Sequence, residues 1–243
     1  MPPKVDIKSP YYPYLKTLEG AFNFRQFATF PRKICDYLID APQGDYTPID
    51  DNSYPRARIW KYLFYDGARP LEQPLPTIEQ KMSVVFNPEQ PENPPTERGY
   101  RLIPQEFIKP AQTEAQTRIH VYMGRTLAPF DDTKYVASVI FDIFTHYTYE
   151  INTKSDEYSR SVALTAAIIE ALNGVNMDGI GTFSMTKKVH PDAGTRPLYD
   201  SNTNIGQELT IGLIMPTLAE NDWNAATNMP LVEDSDGNTL RLW

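Results

Sequence analysis

Cysteine is nearly missing: Cys35 is the single one in 243 residues, which excludes an internal disulfide and a cysteine-built zinc site. It lies in "KICDYLID" beside Ile34 and near Leu38, and reads as core packing rather than as a nucleophile. Histidine is scarce too. His120, His146 and His190 are far apart, and only His120 and His146, on the polar faces of two neighbouring predicted strands, are placed to meet; a surface or interface pair is favoured over a metal site. No apolar run approaches the 18 or so residues of a membrane span. The opening "MPPKVDIKSPYYPY" lacks the apolar core and small-residue cleavage site of a signal peptide, so the expected place of synthesis and assembly is the cytoplasm. Positive charge is short: 23 Lys and Arg against 31 Asp and Glu leave a net −8, too acidic for a sequence-blind nucleic-acid binder. Catalytic signatures are missing as well. There is no G-x-S-x-G and no P-loop. In "NGVNMDGIGTFS", Ser184 stands where a dinucleotide fingerprint needs its third glycine, and the segment leaves a helix instead of entering one. Gly179 and Gly181 therefore read as a turn into a strand.

Proline is in excess, and it is uneven: 17 of the 22 lie within residues 1–110. Because proline fixes φ and removes a backbone donor, that half cannot be a continuous sheet or a helix bundle. Residues 1–29 mix prolines with aromatics and predict an extended segment clamped to a surface. "FPRKICDYLID" predicts a helix with Pro31 in its first turn and an apolar stripe of Ile34, Cys35, Leu38 and Ile39. "ARIWKYLFYDG" is ambiguous between helix and strand. "IEQKMSVVFNP" alternates Met82, Val84 and Phe86 and predicts a strand. The proline-rich stretch 87–99 then reads as a stiff tongue between strands, with Pro91, Pro94 and Pro95 available for contacts outside the core.

The second half is more regular. "TRIHVYMGRT" alternates as a strand. "DDTKYVASVIFDIFTHYTYEI", residues 131–151, predicts a second strand of about 15 residues, well beyond the usual length. "NTKSDEYSRSVALTAAIIEALNG" predicts the principal helix, with Thr153 and Asp156 as a capping box and Gly174 as its C-terminal stop. Its expected apolar stripe runs through Tyr158, Val162, Thr165 or Ala166, Ile169 and Leu172. "GIGTFSMTKKV" and "IGQELTIGLIMP" predict two more strands joined by a loop, and residues 217–243 an extended arm anchored by Trp223 and Trp243. The fold class is α+β: a mainly antiparallel sheet with one principal helix on a face, forming a single domain over 30–216.

Two constellations carry chemistry. Glu79-x-Lys81 with Asp66 upstream is similar to the carboxylate and lysine pattern of metal-dependent nucleases of restriction-endonuclease type, in which two carboxylates hold Mg²⁺ and the lysine assists the attacking water; a solvated charge pair is the simpler reading. Arg56, Arg58 and Lys61 around Trp60 form a basic, aromatic patch suited to an acidic protein surface or to nucleic acid. Neither amounts to an active site, and no cofactor or metal ligand set is expected. What stands out is reach: the strand end at Thr145, Tyr147, Tyr149 and Ile151, the tongue, and both terminal arms offer more adhesive surface than one subunit covers. A third possibility is a monomeric module that displays the tongue to a partner protein.

Residues 136–145, Arg160 to Gly174, Gly179 to Met185 and Gly206 to Met215 succeed one another as strand, arginine-bearing helix ending in "LNG", Gly-x-Gly strand entry and glycine-bearing final strand. This order resembles the tail-terminator and neck proteins of tailed bacteriophages. The resemblance implies a non-enzymatic virion protein, assembled in the host cytoplasm, whose copies form a six- or twelve-membered ring. Its partners would be portal, neck or tail proteins; DNA would be passing cargo only, and no membrane would be involved.

Overall fold

The computed structural model describes residues 27–39, 50–90, 97–105, 115–126, 134–150, 159–177, 180–199 and 204–216, together with 232–233 and 239–240. Its centre is a seven-stranded sheet. The three long members are β2 (Thr117–Thr126), β3 (Lys134–His146) and β7 (Asn204–Pro216). β3 lies between the other two and is antiparallel to both, in unbroken register with β7 from Lys134↔Pro216 to His146↔Asn204. The short β1 (Leu102–Ile103) extends the β2 side in parallel. The far edge of β7 is shared by two strands laid end to end: β5 (Gly181–Ser184) pairs with Gly212–Ile214, and β6 (Gly194–Tyr199) with Ile205–Thr210. β4 (Asn176–Met177) closes that side against β5. The architecture is thus α+β with a sheet antiparallel everywhere except at β1.

Period-two alternation sets the two faces. Ile119, Val121, Ala137, Val139, Phe141, Ile143, Leu209, Ile211, Leu213 and Met215 are buried on one face in the main apolar cluster. Helices α1 (Phe30–Ile39), α2 (Pro55–Phe64) and α5 (Arg160–Leu172) cover it. Three helices therefore share the packing that the sequence assigned to one. At about 1.5–3 kcal/mol per fully buried large aliphatic side chain, this face supplies the main drive for folding.

Several elements differ from expectation. "ARIWKYLFYDG" resolves to a helix, α2, started by Pro55 at its first position. "IEQKMS" is the short helix α3 (Ile78–Ser83) and not a strand. Thr77 Oγ1 accepts from the Gln80 amide while the Gln80 side chain accepts from the Thr77 amide. This local capping box overrides an alternation only three residues deep. β3 stops at His146, where Tyr147–Glu150 turn into the helical α4; the strand has 13 residues and does not run on towards Ile151. The described part of α5 begins at Arg160 and is capped by Ser159, whose side chain accepts from the Val162 amide; Thr153 and Asp156 lie outside the described residues. Its inward face carries Leu164, Ile168 and Leu172, whereas Val162 and Ala166 face out, because α5 packs against both α2 and the sheet. Gly174 follows the helix with φ +82°, the left-handed stop expected of it. Residues 194–199, where a loop is expected, form the edge strand β6, and its Pro197 suits that edge, where a missing donor removes nothing from the ladder. In the region expected to be a plain extended arm, β8 (Val232–Glu233) and β9 (Thr239–Leu240) pair antiparallel.

Candidate functional site: an exposed apolar end of the sheet

Five large hydrophobic side chains are exposed among the described residues: Met82, Tyr147, Val162, Tyr199 and Ile205. Four of them belong to elements that meet at one end of the sheet. Tyr199, 76% exposed, is the direct cross-strand partner of Ile205, so the two share a face. Ile205 in turn pairs with Thr145. One residue beyond β3, Tyr147 opens α4, which packs against both β7 and α5. Val162 lies in the first turn of α5, which α4 holds directly. Glu150 accepts from the Ser159 hydroxyl (2.5 Å), the Ser161 hydroxyl (2.7 Å) and the Ser161 amide (3.1 Å). A carboxylate at a helix N-terminus satisfies orphan amides and complements the dipole, so this end is rigidly braced. Surface apolar residues are ordinary one at a time; grouped, they mark contact sites.

The expected interface residues fall unevenly on this end. Tyr147 is exposed and stacks on His146 at 4.6 Å between ring centroids. Tyr149 is half-buried against the Arg160 guanidinium. Thr145 is wholly buried in the sheet, so it does not project as the sequence reading required. Ile151, Pro91, Pro94, Pro95, Trp223 and Trp243 lie outside the described residues. The base of the tongue is described: Phe86 and Tyr100 meet edge to face at 5.2 Å, and the Tyr100 hydroxyl donates to the Gln90 carbonyl at 2.6 Å. Tyr199, Ile205 and Val162 escaped the sequence reading. Tyr199 sat in a supposed loop, and Ile205 and Val162 belong to otherwise buried runs.

The basic, aromatic patch does not exist as a surface. Helical period sends its members to different neighbours. Trp60 is fully buried, its indole donating to the Leu38 carbonyl at 2.6 Å. Lys61 is buried on Asp50 at 2.6 Å and on Asn52 at 3.0 Å. Arg58 pairs with Glu170, and Arg56 lies over the Tyr37 and Tyr54 rings.

The nuclease-like set is also taken apart. Lys81 is 1% exposed, donating to the Ile39 carbonyl at 3.3 Å. Glu79 is on the exposed side of α3. Asp66 is held by both terminal nitrogens of Arg101, at 2.9 and 2.5 Å. His120 faces Asp142 across the ladder and contacts the Gln105 carbonyl, away from His146. Among the described residues no group of three His, Cys, Asp or Glu is placed to hold a metal ion, and no helix is long and apolar enough to cross a membrane.

The arrangement that no sequence pattern disclosed is a set of three arginines around the C-terminal end of α2. Arg101 donates to the Leu63 carbonyl (2.9 Å), Arg98 to Phe64 (3.0 Å), and Arg160 to Tyr65 (3.0 Å) and Gly67. The last carbonyls of a helix lack intrahelical partners and carry partial negative charge, so guanidiniums satisfy both demands. Burial pulls the Arg160 pKa below its ordinary value, while Asp66 opposes that shift.

Compared with known proteins, the chain matches the family model YomW over residues 57–201. That interval runs from within α2 to just past β6 and so takes in the sheet strands β1 to β6, the arginine cluster and α5. No curated protein and no solved structure matches it.

Proposed function

The chain belongs to the YomW family, a phage-associated one, and on that premise we propose that it is a non-enzymatic structural subunit of a tailed-phage virion. Its copies close a six- or twelve-fold ring in the head-to-tail connector, as a neck or tail-terminator ring between portal-side and tail-side proteins, assembled in the host cytoplasm with DNA passing through the lumen. The observation that carries this reading is the exposed group of Tyr147, Val162, Tyr199 and Ile205, gathered at one braced end of the sheet. Such a group is costly on a solitary subunit and useful between copies. A heterologous contact that joins this end to a different surface of the next copy generates a ring when its rotation closes. The net charge of −8 suits a channel through which a polyanion must slide.

Mass photometry and negative-stain microscopy of the purified full chain test the proposal. A discrete ring is expected, and Tyr199→Glu combined with Ile205→Glu should dissolve it with little change in monomer stability. A protein that stays monomeric at all concentrations, and that neither portal nor tail proteins bring into a ring, overturns it.

A further inference from the structure

On the sheet face opposite the helices lies a pocket of about 430 Å³ bounded by β2, β3, β6, β7 and the segment before β6. The volume is that of a small-molecule site. Three cations stand around it, Arg125, Lys187 and Arg196, in a protein whose net charge is strongly negative. Ser138, Thr210, Ile140 and Pro191 also line it.

Local structure builds this pocket. The β2–β3 register shifts between Met123 and Thr126, so Arg125 sits in a bulge; bulges re-aim side chains and recur beside functional sites. The Arg125 carbonyl accepts from the Ser138 hydroxyl and from His190 Nε2, each at 3.3 Å. His190 is completely buried, and its Nδ1 accepts the Asp192 amide at 3.3 Å. One imidazole thus ties the bulge to the segment that carries Lys187. Two glycines permit this close packing. A Cβ on Gly124 would lie 2.5 Å from Ser138 Oγ, and one on Gly212 would lie 3.0 Å from His190 Cβ. Glu208 anchors Arg196 at 2.5 Å across the β6–β7 ladder. That pairing offsets the one buried carboxylate of the wall. Arg125 and Lys187 remain as lining cations beside the exposed Asp192, and Asp142 acts on Arg196 from next to Glu208.

We propose that this pocket binds a phosphate monoester, its tetrahedral anion gripped by Arg125 and Lys187 with Arg196 at the rim, and its organic body resting on Ile140 and Pro191. The three lining cations come from β2, β6 and the segment before β6, and a phosphate dianion carries enough charge and acceptor oxygens to engage more than one of them. The pocket also has room for more than the anion alone. A free nucleotide and the 5′-phosphate end of a DNA strand present the same chemistry.

Isothermal titration of the full chain with inorganic phosphate, a nucleoside monophosphate, and a short oligonucleotide with or without a 5′-phosphate tests this. The monophosphate should bind more tightly than inorganic phosphate, and the oligonucleotide should bind only when phosphorylated. Whichever of the two monoesters binds more tightly identifies the source. Arg125→Gln with Lys187→Gln should weaken binding at least tenfold without changing the melting temperature. Lys188→Gln, an exposed neighbour outside the pocket, should leave it unchanged. No heat with any phosphate, equal binding of both oligonucleotides, or the same affinity in the double variant as in the parent would overturn the proposal. Ring assembly is read separately, so either idea can fail alone.

Discussion

Arg160 has no exposed surface although it carries a permanent charge, and it sits at the positive end of its own helix. What offsets that placement is the end of another helix, where the Tyr65 and Gly67 carbonyls point at its guanidinium. Replacing Arg160 with Leu leaves both carbonyls without that donor, and should cost about 3 kcal/mol in urea unfolding. Cys35 is the opposite kind of buried group. Burial drives its thiol pKa far above the ordinary value, so it should react with a thiol reagent only at the rate of unfolding. Asp50 gives the pH dependence. Its pKa is lowered, first by the hydrogen bond from Lys61 and then by the Leu75 amide. A depressed carboxylate contributes stability that is present above its unfolded pKa of about 3.9 and disappears as pH falls through the folded value. Asp50→Asn should therefore lower the melting temperature at neutral pH and converge with the parent in acid, well below pH 4.

At the scale of elements, α3 shows what misleads a reading by alternation. Met82, Val84 and Phe86 have strand spacing, yet the Thr77 and Gln80 capping box closes a helical turn before any strand partner is reached. Val84 and Val85 then pack as the chain leaves the helix, where Val85 bridges to Leu102. Thr77→Ala should cost about 1 kcal/mol, measurable by chemical denaturation, and should loosen Lys81 from the Ile39 carbonyl. β2, β3 and β7 were legible because each keeps one continuous apolar face at period two over ten or more residues, with no competing helical period. The inward face of α5 was not. A helix wedged between α2 and the sheet buries more than one stripe, and Arg160 and Ser161 enter its buried set through partners distant in sequence. β6 was missed because a six-residue edge strand with a central proline has a loop's composition.

Among the described residues, four of the five exposed large hydrophobics lie at one end of the sheet, and three cations line one pocket of the face opposite the helices. If copies associate through Tyr147, Tyr199 and Ile205, folding is linked to assembly, and mass action makes thermal stability depend on protein concentration. The melting temperature of the parent should rise over a hundredfold increase in concentration, while that of the Tyr199→Glu, Ile205→Glu variant should stay flat. Equal, flat behaviour in both would argue against contact through this end.

Alternation and caps are local, so the amino-acid order alone settled the three long strands, the existence of α1 and α5, the Gly174 stop and the burial of Cys35. It also settled the α+β class, since strand and helix periods cannot be exchanged. The fates of Trp60, Lys61, Asp66, Lys81 and Thr145 were decided only in three dimensions. Each has residue chemistry suited to a site or an interface, and each is instead taken up by a carbonyl, a carboxylate, a guanidinium or a neighbouring strand from another element. Most buried polar groups take partners, and which partners arrive is a property of the packed fold.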